Sequence, residues 1–392
     1  MTYRILSLDG GGTWALIEVK ALLAIFGDVS GHTVLSKFDM AVANSGGSIV
    51  LGGLLEDKLL SEILTYFMDV DKRRSIFQPT SMAFDEVLRG LLHFGPQYSA
   101  VKKLPGLQRL LPVSGGQVLT TVANAVQGAS SGKPVHILIT AFDYDRNVAA
   151  FFRSAATNVE WGGGLPSGDV TLAEAIHASS NAPVQFFDAP AQWNSQNRFW
   201  DGAIAGCNNP VLAGTAEAIT LGVTPSDIRA LSLGTATVRW PGPPQDNPAP
   251  YMQARSKSDF ASDLVKLAGS ITDDPPDVAS FLAHVMTGDS AALPAGIPSR
   301  VVRLNPMVSP VKNAAGEWVA PGTWTSQQLA HLADVDLAAL DQNDLMYIAD
   351  YADLWLQGSA PNQPLRMDAD TLDSKLGPTD ARAAIANWQA IA

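Results

Sequence analysis

Lys37-Phe38-Asp39-Met40-Ala41-Val42-Ala43-Asn44-Ser45-Gly46-Gly47-Ser48 runs an apolar segment straight into small residues gathered around one serine. That pattern predicts a buried strand that turns sharply into a helix and presents the serine hydroxyl at the turn. Ile49-Val50-Leu51-Gly52-Gly53-Leu54-Leu55 supplies the helix, and Gly46 and Gly47 let it start close to the strand. The usual G-x-S-x-G has glycine at its first position, whereas Ala43 stands here and brings a Cβ into the turn. Ser45 is on this reading an activated nucleophile. Its plainer reading is a serine that caps an ordinary strand-to-helix junction.

Two distant segments bear on that choice. Arg4-Ile5-Leu6-Ser7-Leu8 is a short apolar strand ending in Asp9-Gly10-Gly11-Gly12-Thr13, after which Leu16, Val19, Leu22, Leu23 and Phe26 recur at helical spacing. Three glycines between a strand and a helix N-terminus leave backbone N–H groups free to face an anionic oxygen. Farther on, Arg198-Phe199-Trp200-Asp201-Gly202-Ala203 places one carboxylate at a turn, which makes Asp201 a candidate base. Asp143 and Asp145, beyond the strand-like Thr140-Ala141-Phe142, are alternatives. The glycines also fit the first phosphate loop of actin-like sugar kinases, or G-x-G-x-x-A of dinucleotide folds. A kinase of that type needs a β-hairpin where Trp14 to Phe26 has helical spacing, and the dinucleotide reading lacks an acidic residue at the end of a second strand.

Together the three segments resemble the patatin-like lipid acyl hydrolases, which use a Ser-Asp dyad in place of a Ser-His-Asp triad. Thr140-Ala141-Phe142-Asp143, Phe151-Phe152-Arg153-Ser154, Ala175-Ile176-His177-Ala178-Ser179-Ser180-Asn181-Ala182-Pro183 and Leu231-Ser232-Leu233-Gly234-Thr235 look like further segments of that family in the same order. Arg303-Leu304-Asn305-Pro306 is similar to a late strand of its bacterial members, so the likeness runs from about residue 4 to 305, and more loosely to 358. The resemblance implies Ser45 as nucleophile, Asp201 as base, and Gly10, Gly11, Gly12 and Gly46 as the oxyanion hole. It also implies the fold: an α/β three-layer sandwich with a mainly parallel central sheet and helical insertions around the active-site mouth. Three positions depart from the family pattern. Trp14 and Ala15 follow Thr13 where a basic residue and glycine are usual, Ala43 replaces the first elbow glycine, and His177 stands where arginine is common.

The implied activity is hydrolysis of lipid acyl esters, as a phospholipase A or related carboxylic ester hydrolase, through an acyl-enzyme and without a cofactor or metal. Acyl transfer on the same dyad and a catalytically weak module that binds lipid or protein are the alternatives. Expected partners are a lipid or fatty-acyl ester substrate, with peripheral membrane contact and no nucleic acid. Composition agrees with that list. Charged residues are 16% of the 392-residue chain, below the roughly 25% usual in soluble domains, and hydrophobic residues are 46%. A net charge of −12 argues against a nucleic-acid surface and against strong attraction to anionic membranes. Cys207 is the only cysteine, which excludes an internal disulfide. His32, His93, His136, His177, His284 and His331 show no metal-ligand spacing, and prolines interrupt Asp273, Asp274 and Asp277. With the first strand so near Met1 and no apolar run of the roughly 20 residues a membrane span needs, the expected location is cytoplasmic.

Strands are expected near 4–8, 37–42, 135–142, 148–153, 197–200, 229–234 and 300–304, alternating with helices as in a parallel sheet covered on both faces. Residues 1–358 are read as the catalytic domain, with a core at 4–240 and a C-terminal helical and strand region at 241–358, followed by a tail at 359–392. Residues 59–128 form a helical insertion containing Gly95-Pro96 and the basic trio Lys102, Lys103 and Arg109, read as a solvated helical face or as a border of the active-site mouth. A proline-rich loop spans 241–250, residues 257–290 look helical, and 329–356 are amphipathic. Asn208 and Asn209 are expected to fix the loop that carries Asp201.

Overall fold

Apolar residues on both faces of each short strand dictate a sheet buried on both sides, which is the signature of parallel pairing between helical layers. The computed structural model describes residues 2–80, 97–130, 132–155, 163–164, 170–183, 186–193, 197–256, 258, 266, 275–289 and 298–392. Its central sheet contains β1 (Tyr3–Leu8), β2 (Met40–Ala43), β3 (His136–Asp143), β4 (Val148–Arg153), β5 (Gly163–Gly164), β6 (Ala191–Gln192), β7 (Arg198–Asp201), β8 (Ile228–Leu233) and β9 (Val301–Leu304). The spatial order is β9-β8-β1-β2-β3-β4-β5. The first five of these are mutually parallel, and β4 turns back antiparallel on β3.

Alternation along the strands divides two apolar layers. Leu6, Leu8, Ala41, Ala43, Ile137 and Ile139 enter one cluster, while Ile5, Met40, Val42 and Leu138 enter the other. The first layer holds α1 (Leu16–Phe26), α2 (Gly31–Leu35), α3 (Ser45–Leu55), α4 (Leu60–Met68) and α5 (Val70–Ile76), joined by α6 (Ala100–Leu110), α7 (Leu119–Asn124) and α8 (Leu172–Ser179). The second holds α9 (Val211–Thr220) and α10 (Pro275–Met286). This is the expected three-layer α/β arrangement. Every residue of α3 is buried, so the helix is sheathed on all sides rather than amphipathic.

All seven expected strands are present, with ends shifted by a few residues. The largest shift is at β2, which begins at Met40 because the Phe38 amide closes a turn on the Leu35 carbonyl at the end of α2. The expected helical insertion is α4 to α7, and its Gly95-Pro96 lies outside the described residues. So do His93, Asp273, Asp274 and most of the stretch 257–290, of which α10 is the main described part.

The amphipathic stretch resolves into α11 (Ser326–Ala333) and α12 (Gln342–Leu356). Residues 359–392, separated as a tail in the sequence, end in α13 (Ala381–Ile391), whose Ala381, Ala384 and Trp388 belong to the main core. Trp388 stacks on Phe38 at 5.7 Å between centroids. Asn362 donates to the carbonyls of Arg303 and Pro378, and its own side-chain oxygen accepts from the Asn305 amide and from Trp355 Nε1. Among the described residues no helix is long and apolar enough to cross a membrane.

Candidate active site

Two strands meet head-on along one edge of β3. β2 runs parallel to β3 and ends with Ala43 opposite Ile139; β7 runs antiparallel and ends with Asp201 opposite Ala141. Since β4 occupies the other edge over Leu138 to Asp143, β2 and β7 must share this one. The residue after β2 and the last residue of β7 therefore converge on Thr140. The side chains complete that junction. Thr140 Oγ1 donates to Asn44 Oδ1 at 2.7 Å, and Asn44 Nδ2 donates to Asp201 Oδ1 at 3.0 Å. Gly202 is required beside them, because a Cβ there would lie 2.4 Å from Asn44 Oδ1.

Ser45 sits at φ 48°, the left-handed region that a non-glycine residue rarely occupies. Its amide donates to Ser179 Oγ at 3.0 Å, and its carbonyl accepts from Ser48 Oγ at 2.5 Å, so both sides of the strained unit are pinned. A hydrogen bond from its hydroxyl draws down the Asp201 carboxyl. Ala43 causes no crowding, being an ordinary buried strand residue paired with Leu8 and Ile139.

The glycine loop follows β1 and lies against the start of α3. A Cβ on Gly46 would fall 2.5 Å from the Gly12 carbonyl oxygen and 2.8 Å from its nitrogen, while one on Gly47 would meet the Asp9 carbonyl at 2.6 Å. The loop is also held from outside. Gly10 N–H donates to the Asn208 carbonyl, the Gly10 carbonyl accepts from Thr235 Oγ1, and Thr13 N–H donates to the Leu337 carbonyl. The expected oxyanion set needs one correction on that account: the Gly10 amide is already committed. The amides of Gly11, Gly12 and Gly46 have no acceptor among the described residues. The Asn208 carbonyl thus braces the glycine loop, and Asn209 bonds Ser280 Oγ and the Val211 amide.

Asp9, at the head of the loop, is buried and ion-paired with Arg303 at 2.6 Å, and its amide donates to Glu18 Oε1 at 2.6 Å. Burial raises Asp9 to about 6 against the pull of Arg303, and burial, then the Asp9 charge, hold Glu18 well above the usual carboxylate range.

Asp201 is 3% exposed, and burial pushes its carboxyl up while Ser45, the Ala203 amide, Asn44 and the Lys103 charge pull it down. Lys103 corrects the expectation of a solvated basic trio. Lys102 and Arg109 are exposed, but Lys103 is fully buried, donates to the Ser180 carbonyl and lies 4.0 Å from the Phe187 ring centre. Sequence reasoning missed it, although a signal existed: Ala100, Lys103, Leu107 and Leu110 share one helical stripe, and all are buried. His177 is buried and driven down to about 3 by desolvation and then by Lys103, so its imidazole is neutral. The alternative bases are engaged elsewhere. Asp143 pairs with Arg146 at 2.6 Å and Asp145 with Arg198 at 2.5 Å.

The arrangement can hold a hydroxyl beside a buried carboxylate, next to a loop and helix start whose Gly11, Gly12 and Gly46 amides have no acceptor among the described residues. A family model described as patatin-like phospholipase matches residues 6–214, more than half of the chain and inclusive of the glycine loop, Ser45 and Asp201. Among solved structures, VipD from Legionella pneumophila aligns at 10% identity and a TM-score of 0.35, over 90% of this chain and 66% of that one. The chain thus spans just under two thirds of the VipD chain. No curated protein matches it.

Proposed function

Because the chain belongs to the patatin-like phospholipase family, we propose that it hydrolyses fatty-acyl esters of lipids with Ser45 as nucleophile and Asp201 as general base. The observation that carries this reading is the junction on β3, where Asn44 bonds the Asp201 carboxylate and is followed directly by the strained Ser45. Ser45 Oγ attacks the ester carbonyl while Asp201 takes its proton, and the amides of Gly11, Gly12 and Gly46 receive the tetrahedral oxyanion. Collapse of that intermediate breaks the ester C–O bond, the alcohol leaves with the proton that Asp201 took, and water then attacks the acyl-enzyme with Asp201 again as base, releasing the fatty acid and returning the proton to Ser45 Oγ.

An unperturbed aspartate, with a pKa near 3.9, is a weak base at neutral pH. Burial supports the role by raising Asp201, since a higher pKa strengthens the base as long as it stays ionised. Asn44 fixes the carboxylate and takes the orienting part that a third triad member plays elsewhere. The substrate reading rests on the family and on chemistry: each buried CH₂ of an acyl chain contributes roughly 0.8 kcal/mol, so longer chains bind better until the groove is full.

The test is kcat/KM for p-nitrophenyl esters from acetate to palmitate, and fatty-acid release from phosphatidylcholine, in wild type, Ser45→Ala and Asp201→Asn. The expected result is rising kcat/KM with chain length and loss of at least about a thousandfold in both variants. A steep preference for acetate with no fatty acid released from lipid would move the enzyme to small esters. Near wild-type turnover by either variant would refute the dyad.

A further inference from the structure

The helical insertion delivers one side chain to the site that the dyad chemistry leaves unexplained. Lys103 projects from the buried stripe of α6, whose N-terminus is anchored by the Ala100 amide on Asp188 Oδ1 at 2.8 Å. Its ammonium donates to the Ser180 carbonyl. Ser180 lies in the turn that ends α8, and both neighbours of Ser180 hold the dyad: Ser179 Oγ accepts the Ser45 amide at 3.0 Å, and the Asn181 carbonyl accepts the Asp201 amide at 3.1 Å. One clamp on Ser180 thus bears on both catalytic backbones.

We propose that Lys103 is a positioning residue for the dyad, which locks the 179–181 turn beneath Ser45 and Asp201 and supplies the buried positive charge that keeps Asp201 ionised. A fully buried ammonium is strongly disfavoured unless a counter-charge compensates it. The Ser180 carbonyl and the Phe187 ring face are only dipolar and quadrupolar partners, and the full negative charge that acts on Lys103 is Asp201. Burial lowers Lys103 to about 7 while Asp201 opposes that fall, so at acid pH the lysine is charged. Other groups around it leave this electrostatic influence intact. His177 of α8 is neutral through the range; on α5, Arg73 donates to the Phe67 carbonyl, Lys72 to Thr65 Oγ1, and Asp71 and Arg74 are exposed. Trp14 and Ala15, not a basic residue, follow Thr13 of the glycine loop; the cation whose charge acts on Asp201 arrives from the insertion instead.

This inference rests on the dyad reading, and the experiment separates the two. The Asp201 carboxyl is followed by 13C NMR of aspartate-labelled protein, assigned by the signal lost in Asp201→Asn, in wild type, Lys103→Met and Lys103→Arg. Methionine keeps the volume and removes the charge. Asp201 is expected to titrate about one pH unit or more higher in Lys103→Met, a tenfold or larger change in its ionised-to-protonated ratio, and to stay near wild type in Lys103→Arg. The acid limb of kcat/KM should move with it, and kcat should fall with KM unchanged.

A folded Lys103→Met protein with an unmoved Asp201 titration would overturn the proposal. If that variant does not fold, the reciprocal measurement decides: Lys103 13Cε must titrate at lower pH in Asp201→Asn than in wild type, and an unmoved lysine overturns it equally. Absence of ester hydrolysis by wild type would strike only the dyad reading, because the titrations need no turnover.

Discussion

At the scale of single residues, the candidate site stores backbone strain at the serine proposed as nucleophile. Ser45 occupies φ 48°, and the left-handed region costs an L-residue roughly 1–2 kcal/mol. Ser45→Gly removes that cost but loses more backbone entropy on folding, by roughly 0.5–1 kcal/mol. Measured against Ser45→Ala, which loses the same hydroxyl bond to Asp201 and keeps the strain, Ser45→Gly is therefore expected to be equally inactive yet slightly more stable, by up to about 1 kcal/mol in urea unfolding. A Ser45→Gly protein less stable than Ser45→Ala would contradict the strain argument. Asn44 and Ser45 were both visible in the sequence, since a strand that runs into small residues is a local pattern. The role of Asn44 was not, because its partners, Thr140 and Asp201, come from strands far along the chain.

Among the elements, β9 secures the glycine loop through one buried ion pair. Arg303 of β9 bonds Asp9 Oδ2 and Ser232 Oγ, which ties β9, β8 and the loop after β1 together. Arg303→Met leaves the Asp9 carboxyl buried without its cation, a change expected to cost about 3–5 kcal/mol when Asp9 is ionised. The pH dependence follows from the raised Asp9 pKa. Its folded value near 6 exceeds the unfolded 3.8, so its stabilising contribution is complete below about 3.8 and is lost as pH rises through 6. Without Arg303 the carboxyl rises further, and the stability deficit should be mild at pH 5 and severe at pH 8. A deficit equal at both pH values would show that Asp9 does not carry the effect. Arg303-Leu304-Asn305-Pro306 was recognisable as a strand from its sequence, but nothing local pairs Arg303 with Asp9. Lys103 was obscured for a different reason. Adjacent charges on a helix are normally solvated, and only the stripe of Ala100, Leu107 and Leu110 around it marks the buried face.

Over the whole molecule, the strands and the helical layers were legible because apolar alternation and helical spacing are written within each segment. The closure of the fold was not. The stretch 359–392 lacks a long apolar pattern, yet Trp388 stacks on Phe38 and Asn362 satisfies backbone groups on three sides. The segment between α11 and α12 likewise covers the glycine loop through the carbonyls of Leu337 and Ala338, contacts that only tertiary packing creates. The central claim depends on that assembly, since it joins Ser45 to an aspartate on another strand. Its most direct test is labelling with a fluorophosphonate probe, which reports an activated serine without assuming any substrate, followed by peptide mass mapping in wild type and Asp201→Asn. The account predicts a single adduct on Ser45 in wild type and a labelling rate lower by at least about a hundredfold in Asp201→Asn. An adduct on another residue, or undiminished labelling of Ser45 in Asp201→Asn, would contradict it.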